Sequence, residues 1–442
     1  MEFAFTEEQN MIRDTAESFL REVSTSNAIR AAMESAAGYD PALWQSICRD
    51  LYWQAIHAPE AYGGMGLGYV ELVAMQEQMG RFLLCSPFFA SVGLASNALL
   101  VAGTEQQKQT WLPELMAGKT ATLAFGGQAL AQRGGTWNVA AVEATWQPTA
   151  DGYVLNGEYR YVLDATTADI LILAAREVGS VGEVGVALFV VAAEAEVEGQ
   201  AEVESIERNA LPTMDQTRRQ GCITLNNLRV PAEQRLGEQC DTRGGQTLQI
   251  ILDLATIALA AEQMGGAQQL LDMTVAYSKE RSQFGRPIAG FQAIKHKAAD
   301  MMLRVEVARS GVYYAACIAQ QALDALLNGT QYNTQCDTQY NTGALAEAAS
   351  IAKSYCSDAY FKNAGEAIQI HGGVGFTWEY DVHLYFKRAK ASEHYLGNAA
   401  WHRERLASLL LDTERLDKAG LDTEELDTEE LATADMHQEA AR

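Results

Sequence analysis

Positive charge is scarce in this chain of 442 residues. Its 33 lysines and arginines stand against 57 aspartates and glutamates, a net charge of −24. That balance argues against a nucleic-acid binder, whose affinity comes from basic surfaces, and against docking on an anionic membrane. Long hydrophobic runs are missing too. The longest clean apolar stretch, Val184–Ala193, is about half of what a membrane helix needs. The first ten residues, MEFAFTEEQN, carry neither the basic nor the apolar region of a signal peptide. Cysteine offers no framework: Cys48, Cys85, Cys222, Cys240, Cys317, Cys336 and Cys356 are odd in number and scattered, with no C-x-x-C. The seven histidines show no metal-ligand spacing. Free thiols in a cytoplasmic protein fit this usage better than disulfides or zinc.

What is present is an ordinary globular mixture, 48% apolar and 20% charged. Residues 1–119 read as an all-helical N-terminal domain. Thr6 and Gln9 form a capping box, Asp40-Pro41 starts a helix, the glycines of 59–68 demand a loop, and an apolar helix follows over roughly Tyr69–Phe82. Residues 120–238 change texture. Strand-forming segments such as YVLNGEYRYVL and VGVALFVVAA are separated by Asp151-Gly152 and Asn156-Gly157, which predicts an antiparallel, sandwich-like β domain. Residues 239–411 return to helix. Stripes of period 3.6 over 246–282, 289–327, 343–370 and 378–410 predict a four-helix bundle, an α+β architecture overall. Residues 328–342 read as a polar loop in which the sequon Asn328-Gly329-Thr330 is taken as chance. The repeats LDTERL and LDTEEL open an acidic tail, 412–442, predicted to be disordered.

Specific strings then appear in order: APEAYGGMGLGYVE, GTEQQKQTWLPELMAGK, TMDQTRR, AEQMGGA, YSKERSQFGRPIAGFQAIKHKAADM and AIQIHGGVGFTWEY. Over residues 1–410 the chain resembles the acyl-CoA dehydrogenase family. The resemblance implies a helical domain, a β domain and a four-helix bundle. It also implies FAD as cofactor, an acyl-CoA substrate losing its α-proton to a carboxylate and its β-hydride to flavin, and an electron-transfer flavoprotein as acceptor. In that family FAD lies across a subunit interface. One subunit holds the flavin ring, and its neighbour offers an R-x-x-F-G and a Q-x-x-G-G string to the rest. The matching residues are Arg281, Gln283, Phe284, Gln292, Gln369, Gly372 and Gly373. Arginine suits a phosphate through its fork of donors, and glycine leaves backbone N–H groups open to approach.

The ring-holding residues depart from the pattern. The usual A-L-T-E-P stretch is Ala124-Phe125-Gly126-Gly127-Gln128 with no G-S-D after it. Tyr161 and Leu163 stand where the family has a tryptophan and a threonine. Backbone N–H groups remain to meet a flavin edge, and Gly126-Gly127 suggests space opened beside it. Both base positions of the family are empty, since Leu396 and Ala255 occupy them and Thr256 replaces the arginine often found beside the second. Glu393 and His394 are the nearby substitutes. His371, Asp381, His383 and Arg388 read as packing or bundle-face residues. Three functions follow: a base-less subunit paired with a homologous chain, donating its half of the FAD site; a self-sufficient flavoenzyme with another base or chemistry, a homo-oligomer included; and a non-catalytic acyl-CoA-binding scaffold.

Overall fold

A computed structural model describes residues 5–131, 135, 137–193, 205–238, 243–327 and 342–411. The N-terminal part is helical: α1 (Glu7–Val23), α2 (Ser26–Glu34), α3 (Pro41–Asp50), α4 (Tyr69–Arg81), α5 (Asn97–Ala102) and α6 (Glu105–Met116). Local chemistry sets these boundaries. Thr6 and Gln9 cap each other's backbone N–H groups at α1, and Asp40 accepts the Ala42 N–H at 2.8 Å to open α3. A π-helical segment, Phe89–Ser96, leads into α5 and faces the interior.

Seven strands follow: β1 (Ala121–Ala124), β2 (Thr145–Pro148), β3 (Gly152–Leu163), β4 (Ile170–Glu177), β5 (Val186–Ala192), β6 (Ser205–Ala210) and β7 (Gln220–Pro231). They form one sheet in the order β1-β4-β2-β3-β7-β6, with β5 also on β4. Pairing is mostly antiparallel. Two short pairings are parallel, β1 with β4 and β2 with β4. Between Tyr159 and Val162 the β3–β7 register slips, and Tyr161 sits at φ +58°. The irregularity turns Tyr161 off the ladder and onto the apolar cluster at the domain junction.

The C-terminal part contains α7 (Gly244–Glu280), β8 (Ser282–Gln283), β9 (Arg286–Pro287), α8 (Gln292–Leu327), α9 (Thr342–His371), α10 (Val382–His394) and α11 (399–411). The stripe over 378–410 is thus two helices. The chain breaks at 395–398, where Leu396 and Gly397 take φ +59° and +95°. Periodicity alone does not reveal such a break, because the apolar positions stay in phase across it. By length and composition α7 could cross a membrane, but its apolar window is wholly buried among the other helices. Glycines let α4 cross α7 closely: a Cβ on Gly80 would overlap the Glu262 carbonyl, and one on Gly265 the Glu77 carbonyl. The acidic tail, nearly all of the polar loop, Cys240 and Cys336 lie outside the described residues.

Candidate active site: an open outer half and a filled inner half

The outer half is built at one end of the bundle. After α7, Ser282–Gln283 and Arg286–Pro287 pair as a two-residue hairpin whose turn residues, Phe284 and Gly285, take φ +51° and +79°. Positive φ at both central positions is the type I′ pattern, normally given to Asn-Gly. Phenylalanine there is strained, and its ring is 92% exposed, with Phe291 as edge-on neighbour at 6.2 Å. Arg281, Gln283, Gln292, Gln369, Gly372 and Gly373 are all exposed. No hydrogen bond or ion pair within the described residues engages the side chains of Arg281, Gln283, Gln292 or Gln369. Gly372 takes φ +64°, and a Cβ on either Gly372 or Gly373 would meet nothing within 4 Å.

Two ties bring these residues together. Tyr277, one turn before Arg281, stacks on His371 at 4.3 Å and donates its hydroxyl to the His371 carbonyl at 3.3 Å. Lys297 near the start of α8 pairs with Glu366 near the end of α9. His371 donates through Nδ1 to the Ala367 carbonyl at 2.7 Å, so it works as a packing residue. The donors fit a dinucleotide: an unpaired guanidinium for phosphate, open glycine N–H groups, amides and an aromatic face.

The inner half is filled. Ala255 and Leu396, at the two base positions, are fully buried in one apolar cluster with Phe89, Phe125, Leu130, Trp137, Leu163 and Tyr395. Trp137 lies 5.2 Å from the Tyr395 ring and 6.1 Å from Phe125. On its other side Tyr395 borders a cavity of about 20 Å³ shared with Asp215, Arg218 and Arg388, room for one water. The expected opening at Gly126-Gly127 is overturned. The Leu130 side chain folds onto Gly126 so closely that a Cβ would overlap it, and Glu143 does the same at Gly127. The backbone donors are taken as well: Gly127 N–H by the Ala141 carbonyl at 3.2 Å, Gln128 and Ala129 N–H by the Glu143 carboxylate at 2.6 and 3.0 Å. These residues do not fit a flavin ring.

Neither substitute base reaches this space. The Glu393 carboxylate is held by Lys390 at 2.8 Å, and His394 is exposed. Thr256 donates its hydroxyl to the Leu252 carbonyl. Asp381 and His383 are local: Asp381 pairs with Arg30 at 2.5 Å and His383 lies edge-on to Trp378. Arg388 is no bundle-face residue. It is wholly buried between bundle and sheet, bonding Asp215 at 2.9 Å, Glu262 at 2.7 Å and both oxygens of Thr217. Arg218 completes the network on Glu262. Two buried groups escaped the sequence reading, because only tertiary packing isolates them. Burial pushes the Asp164 carboxyl up to about 7, against the pull of Arg218 and Arg388. Burial pushes the Lys353 ammonium down to about 7. Its Nζ donates to the carbonyls of Ser392, Glu393 and Gly397 at 2.9–3.2 Å, and His402 reaches the Leu396 carbonyl at 2.9 Å. Together they pin the 395–398 break from behind.

The fold and the outer half define a flavin-dinucleotide protein of helix–sheet–bundle architecture. The profile of the acyl-CoA dehydrogenase N-terminal domain matches residues 6–119, and that of the C-terminal domain matches residues 243–411. Acyl-CoA dehydrogenase IpdE2 of Mycolicibacterium smegmatis is 31% identical over 393 residues, 89% of this chain and 95% of the relative. Among solved structures, the ChsE4-ChsE5 complex from Mycobacterium tuberculosis matches with TM-score 0.76 and 26% identity, covering 93% of this chain and 99% of that one. A steroid ACAD, Tcur3481-Tcur3483, matches with TM-score 0.75 and 29% identity, covering 92% and 99%. The chain belongs to the acyl-CoA dehydrogenase family, whose members are FAD-dependent oxidoreductases acting on CH–CH bonds.

Proposed function

We propose that this chain is the base-less subunit of a mixed acyl-CoA dehydrogenase, lending its outer half-site to FAD whose ring and catalytic carboxylate belong to a homologous partner. Arg281 would hold a phosphate, Phe284 would pack beside the adenosine end, and Gln292, Gln369, Gly372 and Gly373 would supply donors and close backbone approach. The bound FAD supplies hydride acceptance. This chain's residues bind and orient it. The supporting observation is the contrast within one molecule: the donated residues are exposed, and the polar ones make no side-chain hydrogen bond or ion pair among the described residues, while Leu396 and Ala255 are buried in an apolar cluster. The relative crystallised as the ChsE4-ChsE5 complex supports pairing of two chains, and the steroid ACAD supports a bulky, ring-bearing acyl group on CoA. An electron-transfer flavoprotein would take the electrons, in the cytoplasm. Five described cysteines are free thiols, which suits that compartment.

The test is co-expression with a homologous chain, followed by visible spectrum and mass. A yellow complex with about one FAD per pair supports the reading. A yellow lone chain with one FAD per subunit that oxidises acyl-CoA sinks it. The second reading, a self-sufficient flavoenzyme, is favoured only by Asp164, a buried carboxyl raised to about 7 and electrostatically coupled to Tyr395. An active lone chain silenced by Asp164→Asn, with the fold intact, would establish it.

A further inference from the structure

We propose that this chain closes its own flavin-ring cavity with two residues, Trp137 filling the ring space and Glu143 taking the backbone N–H groups that would meet the ring's edge. FAD in the assembled protein then lies only where the partner supplies the cavity. This deepens the donated-half reading and rests on it for the partner alone.

Two independent observations converge. The first is packing. Trp137 lies 5.2 Å from the Tyr395 ring and 6.1 Å from Phe125, in one buried apolar cluster with Leu130 and Leu396. The second is hydrogen bonding. A flavin edge needs free donors, but the Gln128 and Ala129 N–H groups already meet an ionisable oxygen pair on Glu143, and Gly127 meets Ala141. Charge-assisted bonds to a carboxylate are the stronger kind, so a neutral carbonyl of an incoming ring competes poorly. A bare loss of function would leave a hole or an unpaired donor. Here the missing ring is replaced in both shape and hydrogen bonding.

The test uses the full chain labelled with 5-fluorotryptophan, with the Trp137 fluorine resonance assigned by its absence in Trp137→Phe. The same resonance position in the lone chain and in the FAD-loaded complex is expected. A shift of that resonance on FAD loading, with one FAD per chain, overturns the closed cavity. Lumiflavin, a ring without the phosphate arm, gives a second measure. Wild-type lone chain should leave its fluorescence unquenched, whereas Trp137→Gly should bind it at least tenfold more tightly. Equal lumiflavin binding by wild type and Trp137→Gly also overturns the proposal. If Trp137→Gly fails to fold, the wild-type resonance still decides. The two readings fail separately. FAD that ignores Arg281→Ala while the Trp137 resonance stays fixed removes the donated arm and leaves the closed cavity standing.

Discussion

The hairpin at Phe284 and the cluster at Leu396 are built on opposite principles. In the hairpin, side chains are exposed, Arg281 and Gln283 make no hydrogen bond or ion pair among the described residues, and a phenylalanine holds a backbone angle that costs about 1–2 kcal/mol. At Leu396, apolar side chains are buried against one another and nearby backbone donors are satisfied. A protein keeps strain and exposed apolar surface where something else will complete them. It fills and satisfies a space that receives nothing. On the proposed function, the difference marks which half of a shared site this chain would serve.

That contrast can be broken experimentally. The largest expected effect lies at the junction between the halves. Arg388→Ala strands Asp215 in the interior, leaves Glu262 with Arg218 alone, and should cost about 3–5 kcal/mol in urea unfolding. A loss below about 1 kcal/mol would mean the buried network does not join sheet to bundle. Next comes Leu396→Glu, which restores a carboxylate at the family position. Because the site is packed, it should cost roughly 3 kcal/mol and create no acyl-CoA oxidation in the lone chain. Activity appearing with stability intact would show the inner half to be open.

Arg281→Ala separates binding from folding. FAD retention by the assembled protein should fall about 10–100-fold, as for loss of a charged hydrogen-bonding pair. The unfolding midpoint should stay the same, since the side chain has no partner of its own. Phe284→Asn is the smallest change. It relieves the left-handed strain and should raise stability by about 1 kcal/mol while weakening FAD retention, the signature of a residue kept for binding.

The inner half also has a pH signature. Asp164 is raised to about 7 in the fold. Between about pH 4 and 7 the unfolded chain has lost a proton that the native state keeps, so stability falls as pH rises. Lys353, lowered to about 7, acts oppositely. From pH 7 to about 10.5 the unfolded chain keeps a proton the native state lacks, so stability rises. Asp164→Asn should flatten the first limb alone, and Lys353→Met the second, in denaturant titrations across pH.

Much of this was legible before any coordinates. The helix–sheet–helix order follows from the change between periods 3.6 and 2, and the caps at Thr6 and Asp40 follow from residue type. The arm from Arg281 to Gln292 and the glycines after Gln369 were readable because local strings carry them. The missing base at Leu396 and Ala255 was readable by position. The plug was not. Glu143 lies 15 residues from the N–H it accepts, and Trp137 meets Tyr395 across more than half the chain. Gly126-Gly127 even pointed the wrong way, because a glycine shows only that a Cβ is absent and not what fills its place. Arg388 read as a face residue because helical spacing says nothing about which neighbour covers that face.

The sequence by itself determined the elements, their order and the family, since each rests on local residue pattern. Tertiary structure alone decided that the outer donors stand free and the inner cavity is shut. Whether a donor has a partner, or a glycine leaves a void, depends on side chains brought together from the sheet, α7 and the break before α11, which no local pattern encodes.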